Sequence, residues 1–194
     1  MNIANRLTVL RILLAFVFII LLFSSFKLSY LAALFIFSLA ALTDFLDGYI
    51  AKTRNMVTDL GKLLDPIADK ILVLSAFISF VDLNIIPAWM VIIILFRELI
   101  VTGFRMLYIK RRVISATMSG KNKTFLQIFS IFLILIYLTI NQINLNYLHI
   151  EYLKNLLNAY AIKTIYITVF ITVCLTLFSG LSVLIKNRFL FKER

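Results

Sequence analysis

Apolar residues along the chain neither alternate nor form a narrow stripe; they gather into six long runs separated by short polar stretches. The runs cover roughly Leu7 to Phe23, Leu31 to Thr43, Leu63 to Val81, Pro87 to Ile109, Thr124 to Ile140 and Ile162 to Ile185. A helix rises about 1.5 Å per residue, so about 20 mostly apolar residues cross the hydrocarbon core of a bilayer. The pattern predicts an all-α, polytopic membrane protein with six transmembrane helices, as a single domain over residues 1–194. The second run is too short unless its helix continues through Asp44 and Asp47 to about Ala51, which places two carboxylates on its last turns. The Asn-rich stretch from Asn141 to Asn158 reads as an outer loop containing a short interfacial helix.

Composition strengthens this reading. Hydrophobic residues make up 62% of the 194 positions and the mean hydropathy is +1.02, against the roughly 45–50% apolar content of an ordinary soluble domain. The formal charge of +11 does not point to nucleic acid, because the basic residues sit at the ends of apolar runs rather than on a solvated face. Anionic lipid head groups and phosphorylated substrates are the expected partners. Arg6, Arg11, Lys52, Arg54, Lys62, the Lys110 to Lys123 segment and the basic C-terminus fall on one side of a six-span layout; the other side holds only Lys27, Lys154 and Lys163. Lys and Arg are enriched in cytoplasmic loops, so both termini are expected on the cytoplasmic side. Arg6 and Arg11 ahead of an apolar run imitate a signal peptide, but no Ala-x-Ala-like site follows, and the segment is expected to remain as a membrane helix. With one cysteine (Cys174) and one histidine (His149), no disulfide framework or Cys/His zinc site can be built, so any metal must be held by oxygen.

Four of the nine acidic residues, Asp44, Asp47, Asp65 and Asp69, fall in two short neighbouring segments, 44–52 and 61–69. A carboxylate at the hydrocarbon boundary costs several kcal/mol unless it is paired, solvated or bound to a cation. Spacings of three and four place each pair on one helix face, and two such helices facing each other form a four-carboxylate cup. Two divalent cations, Mg²⁺ or Mn²⁺, are the simplest compensation, with a diphosphate substrate completing their coordination. The competing reading makes these aspartates helix caps and partners of Lys52, Lys62 and Lys70, with Asp65 an N-cap before Pro66. Gly48 and Gly61 remove side chains where a base or sugar could approach, or where helices pack.

These residues resemble the signature of the CDP-alcohol phosphatidyltransferase family, Asp-x-x-Asp-Gly-x-x-Ala-Arg, eight residues, then Gly-x-x-x-Asp-x-x-x-Asp. Every fixed position is present except that Lys52 stands where the family has Arg, keeping the charge but losing the bidentate fork. Asn5-x-x-Thr8-x-x-Arg11, Arg97-Glu98-Leu-Ile-Val-Thr102-Gly103-Phe-Arg105 and Gly120-Lys121-Asn-Lys123-Thr124-x-x-Gln127 look like its phosphatidylglycerophosphate synthase branch. The resemblance implies a six-helix homodimer in the bacterial cytoplasmic membrane with a polar active-site cavity facing the cytoplasm. It implies CDP-diacylglycerol as donor, sn-glycerol 3-phosphate as acceptor and CMP as product. By motif position, Asp44, Asp47, Asp65 and Asp69 are metal ligands and Asp69 is also the general base. Asn5, Thr8, Gly48, Lys52 and Gly61 fall to the donor nucleotide.

An acceptor carrying its own phosphate needs a second cationic pocket, for which Arg105 and Lys121, helped by Lys123 and Arg97, are the candidates. Arg97 has Glu98 beside it, but neighbours on a helix diverge, so its structural partner could lie elsewhere. Arg11 either approaches the donor phosphates or snorkels to the interface. The eighteen phenylalanines read as lipid-facing or packing residues. A sister enzyme using inositol phosphate, serine or phosphatidylglycerol shares the same aspartates, and an ion-binding transporter is the rival from another class.

Overall fold

A computed structural model describes residues 3–54, 59–108 and 118–186. Within these segments, side chains at 3–7, 44–54, 59–67, 69, 104–108, 118–122, 158, 184 and 186 lie outside the described set. Among the described residues every regular element is helical: α1 (Ile3–Leu22), α2 (Ser29–Arg54), α3 (Asp59–Asp82), α4 (Ala88–Tyr108), α5 (Met118–Ile143), α6 (Glu151–Leu156) and α7 (Ile162–Lys186).

The six long helices coincide with the six apolar runs, with three instructive differences. First, α2 does continue past Thr43, through Asp44, Asp47 and Gly48 to Arg54. Second, α3 begins at Asp59, so Asp65 and Pro66 are interior residues and Asp65 is not an N-cap. Pro66 has no N–H to give the carbonyl four residues earlier, but in the second turn most of the helix's hydrogen bonds lie ahead of it. Third, the Asn-rich stretch is not an open loop. A π-helical turn, Asn144–Leu148, extends α5, and a second, Leu157–Ala161, joins α6 to α7. Between them His149 adopts a left-handed backbone (φ 51°) that turns the chain, and Asn144 bridges the corner by accepting from Ile150 N–H at 2.9 Å and donating to its carbonyl at 3.1 Å.

The helix pairs with the most extensive packing close a cycle: α1 on α2, α2 on α5, α5 on α7, α7 on α4, α4 on α3, and α3 back on α1. The core inside this ring is apolar toward one end. Phe18, Phe37, Phe77, Phe80, Met90, Ile94, Ile131, Ile134 and Leu135 are fully buried there, with the Phe37 ring 5.5 Å from Phe18 and 5.4 Å, edge-on, from Phe132. Outward faces carry exposed Phe16, Ile20, Phe35, Phe96, Phe125 and Phe178. The phenylalanines therefore divide between the two roles expected of them. Large apolar side chains outside and charged ones inside fit a protein whose surroundings are lipid. Lys123–Leu148 and Glu151–Val183 are long and apolar enough to cross a membrane, and Thr8–Leu22 and Ser29–Thr43 are shorter apolar stretches among the described residues.

Direction follows from connection length. The links 23–28, 55–58 and 83–87 are too short, at about 3.3 Å per residue, to run back along a helix of 20 residues or more. Consecutive helices therefore reverse, which brings the start of α1, the end of α2, the start of α3 and the end of α4 to one end of the ring. An ion pair and a hydrogen bond described below place the start of α5 and the end of α7, respectively, at the same end.

Candidate active site

At this end the interior of the ring turns from apolar to charged. Glu98, in the second half of α4, is 2% exposed and is held by four side chains from three helices. Its Oε2 pairs with Lys70 Nζ of α3 at 3.0 Å. Its Oε1 receives Lys123 Nζ of α5, Arg97 Nη1 at 3.2 Å and Gln127 Nε2 at 3.2 Å. Lys123 is itself buried, with 4% of its side chain exposed, whereas Lys70 keeps 24%. Glu98 thus gathers three cations from three helices at this end, where charge removed from water is poorly screened.

Arg97 has partners both beside it and on another helix. Its guanidinium does reach the adjacent Glu98, because the long side chain curls back along α4, and its Nη2 also donates to Ser179 Oγ of α7 at 2.9 Å. Gly180 makes this route possible: a Cβ there would stand 2.8 Å from Arg97 Cγ. Deeper along the same seam the Ser130 and Thr172 hydroxyls lie 3.0 Å apart between α5 and α7. On α1, Thr8 and Arg11 are both buried. Arg11 therefore does not snorkel to the boundary, and the spacing-three face of α1 points inward.

The remaining predicted residues are placed by backbone. Asp44, Asp47, Gly48 and Lys52 fall in the last turns of α2, Gly61, Asp65 and Asp69 in the first half of α3, Asn5 in the first turn of α1, Arg105 in the last turn of α4 and Lys121 in the first turn of α5. Their side chains lie outside the described residues. Among the described residues no group of three or more His, Cys, Asp or Glu is arranged to hold a metal. The donor chemistry of the aspartates does suit a hard divalent cation. Four carboxylates come from two helix segments that chain reversal brings to one end, whereas His149 lies at the other end and Cys174 on the outer face of α7.

Residues 1–178 match the family model of the CDP-alcohol phosphatidyltransferases. The chain belongs to this family. Relatives within it include a Bacillus subtilis CDP-diacylglycerol–glycerol-3-phosphate 3-phosphatidyltransferase, 39% identical over 149 residues, covering 70% of this chain and 77% of that one. A protein of the same description from Rickettsia bellii is 40% identical over 134 residues, covering 67% and 72%. A probable phosphatidylglycerophosphate synthase of Mycobacterium tuberculosis is 43% identical over 129 residues, covering 65% and 62%. The family match reaches into α7, beyond the point where the motifs run out.

Two features escaped the motif reading: Glu98 as the hub of the cationic cluster, and Ser179 with Gly180 as the seat of Arg97. Glu98 carried a usable signal, being the sole acidic residue between Asp82 and Glu151 and lying inside an apolar run. Ser179 and Gly180 carried none, because small residues in an apolar helix read as ordinary packing.

Proposed function

We propose that this chain transfers the phosphatidyl group of CDP-diacylglycerol to sn-glycerol 3-phosphate, giving phosphatidylglycerophosphate and CMP. The observation that carries the reading is the coincidence, at one end of the helix ring, of the aspartate signature on α2 and α3 with the buried cations of α4 and α5, in a family whose relatives bear these substrate names. The same reading makes the chain a homodimer of six-span subunits in the bacterial cytoplasmic membrane, with both termini and the site on the cytoplasmic side. The basic end of the chain's layout supports that orientation.

The acceptor hydroxyl attacks the phosphorus attached to diacylglycerol, the bond to the cytidylyl phosphate breaks, and CMP leaves. Asp69 takes the hydroxyl proton as the attack proceeds. Asp44, Asp47, Asp65 and Asp69 would hold two divalent ions, Mg²⁺ or Mn²⁺, which neutralise the diphosphate and stabilise the departing CMP. Asn5, Thr8, Gly48, Lys52 and Gly61 line the donor nucleotide. Lys52 offers it a point charge where a guanidinium would form a fork. Arg105 and Lys121 take the acceptor phosphate. Lys123 and Arg97 stand behind them on Glu98 and add positive potential rather than direct contacts.

Purified protein in detergent, given CDP-diacylglycerol and Mg²⁺ or Mn²⁺, should release CMP when sn-glycerol 3-phosphate is added. Release only with inositol phosphate, serine or phosphatidylglycerol would remove the acceptor assignment. No metal-dependent release with any alcohol would return the transporter reading.

A further inference from the structure

The geometry points to Glu98 as a positioning residue that, by gripping Lys70, sets the rotation of α3 about its own axis and thereby the direction of its aspartate face. This rests on the metal-carboxylate reading above. Successive helix positions are about 100° apart, so positions 65 and 69 share one face of α3 while position 70 lies about a quarter to two fifths of a turn round from it. A helix packed by apolar contacts alone can turn by some degrees at small cost, since such contacts are non-directional. A charge-assisted contact of 3.0 Å to a carboxylate 2% exposed adds a directional tie that such a turn would stretch. Glu98 is in turn fixed from behind by Lys123 and Gln127 of α5 and by Arg97, which is anchored on Ser179 of α7. The orientation of the α3 face is thus referred to three other helices. Lys70, the outermost member of the cluster, is the link between that frame and the residue next to it, Asp69.

The test is a comparison of Lys70→Gln, Lys70→Arg and Glu98→Gln with the parent protein in mixed micelles containing CDP-diacylglycerol. Turnover is followed by CMP release and metal binding by the electron paramagnetic resonance signal of free Mn²⁺. Lys70→Gln should lower kcat about 10- to 100-fold and weaken Mn²⁺ binding several-fold while leaving KM for sn-glycerol 3-phosphate within about threefold, the pattern of a displaced group rather than a lost binding contact. Lys70→Arg should restore most of both. The double variant Lys70→Gln/Glu98→Gln should be no slower than Glu98→Gln alone, since one link is cut in either case. If Glu98→Gln fails to fold, the two Lys70 variants decide. Parent-like kcat and Mn²⁺ affinity in Lys70→Gln, or a rise in KM for the acceptor with kcat unchanged, overturns the positioning role. If the parent binds Mn²⁺ without releasing CMP and Lys70→Gln weakens that binding, the phosphatidyl-transfer reading fails and the positioning role stands. A parent that neither binds Mn²⁺ nor releases CMP removes both.

Discussion

The two ends of the helix ring are fastened by different chemistry. At the charged end, α3, α4 and α5 are tied through one buried carboxylate and its cations, with α7 joined through Arg97. At the opposite end the ties are neutral. Gln142 of α5 accepts from Tyr30 N–H at 3.1 Å and donates to Ser29 Oγ at 3.1 Å and to the Phe26 carbonyl at 3.3 Å. Asn146 donates to the Lys27 carbonyl at 3.1 Å. Both sets join helices distant in sequence, but only one buries ionised groups. Neutral amides suffice for fastening, since each bond adds about 1 kcal/mol with little desolvation penalty. Buried ion pairs are a poor way to gain stability, because desolvation offsets most of their attraction. Their concentration at one end coincides with the place where the proposed reaction would receive its anionic substrates.

The sharpest break between the ends is catalytic. Asp65→Asn or Asp69→Asn should lower CMP release by about a thousandfold or more while the protein elutes from detergent size exclusion like the parent; chelation of divalent metal should abolish release reversibly. Comparable loss from any substitution around Gln142 would contradict the division. Next comes stability at the charged end. Glu98→Ala leaves Lys70, Arg97 and Lys123 facing one another without their shared carboxylate and should destabilise the fold by about 3–5 kcal/mol, read as a fall in the thermal midpoint in detergent. Gly180→Ala drives a methyl group into the Arg97 stem and should cost about 1–3 kcal/mol, together with lower turnover. The smallest effect is expected from Gln142→Ala: about 1–2 kcal/mol through the first residues of α2, which lose their amide partner, with kcat per folded molecule within about twofold. A large kcat change there would mean that the neutral end also governs the site.

Much of this arrangement is legible in the chain. Six apolar runs mark the long helices, because a long apolar stretch can satisfy its backbone only within itself; the boundaries furthest from the runs are the end of α2, at Arg54 rather than Thr43, and the start of α5, at Met118 rather than Thr124. The aspartate spacing is equally readable, since residues three and four apart must share a helix face. The competing N-cap reading of Asp65 drew on Asp-Pro being a usual start of a helix, whereas the polar turn before it is helical as well. The Asn-rich stretch misled because asparagine favours turns, while here Asn144 and Asn146 use their amides to bind backbone across the corner. Arg97 and Glu98 could not be paired from register alone, because the contact depends on a curled side chain and on a glycine 83 positions later. Periodicity reports which residues share a helix; it is silent on which helices meet.

The ring is closed by its last member. α7 packs between α4 and α5, and Ser179 and Gly180 lie near its far end, so during synthesis five long helices are made before Arg97 can acquire its seat. A ribosome releasing the chain at about residue 161 would deliver to the bilayer every recognisable motif and an open-sided bundle. Quality-control proteases should treat such a product as unfinished, and nonsense changes late in the coding sequence should be as damaging as early ones.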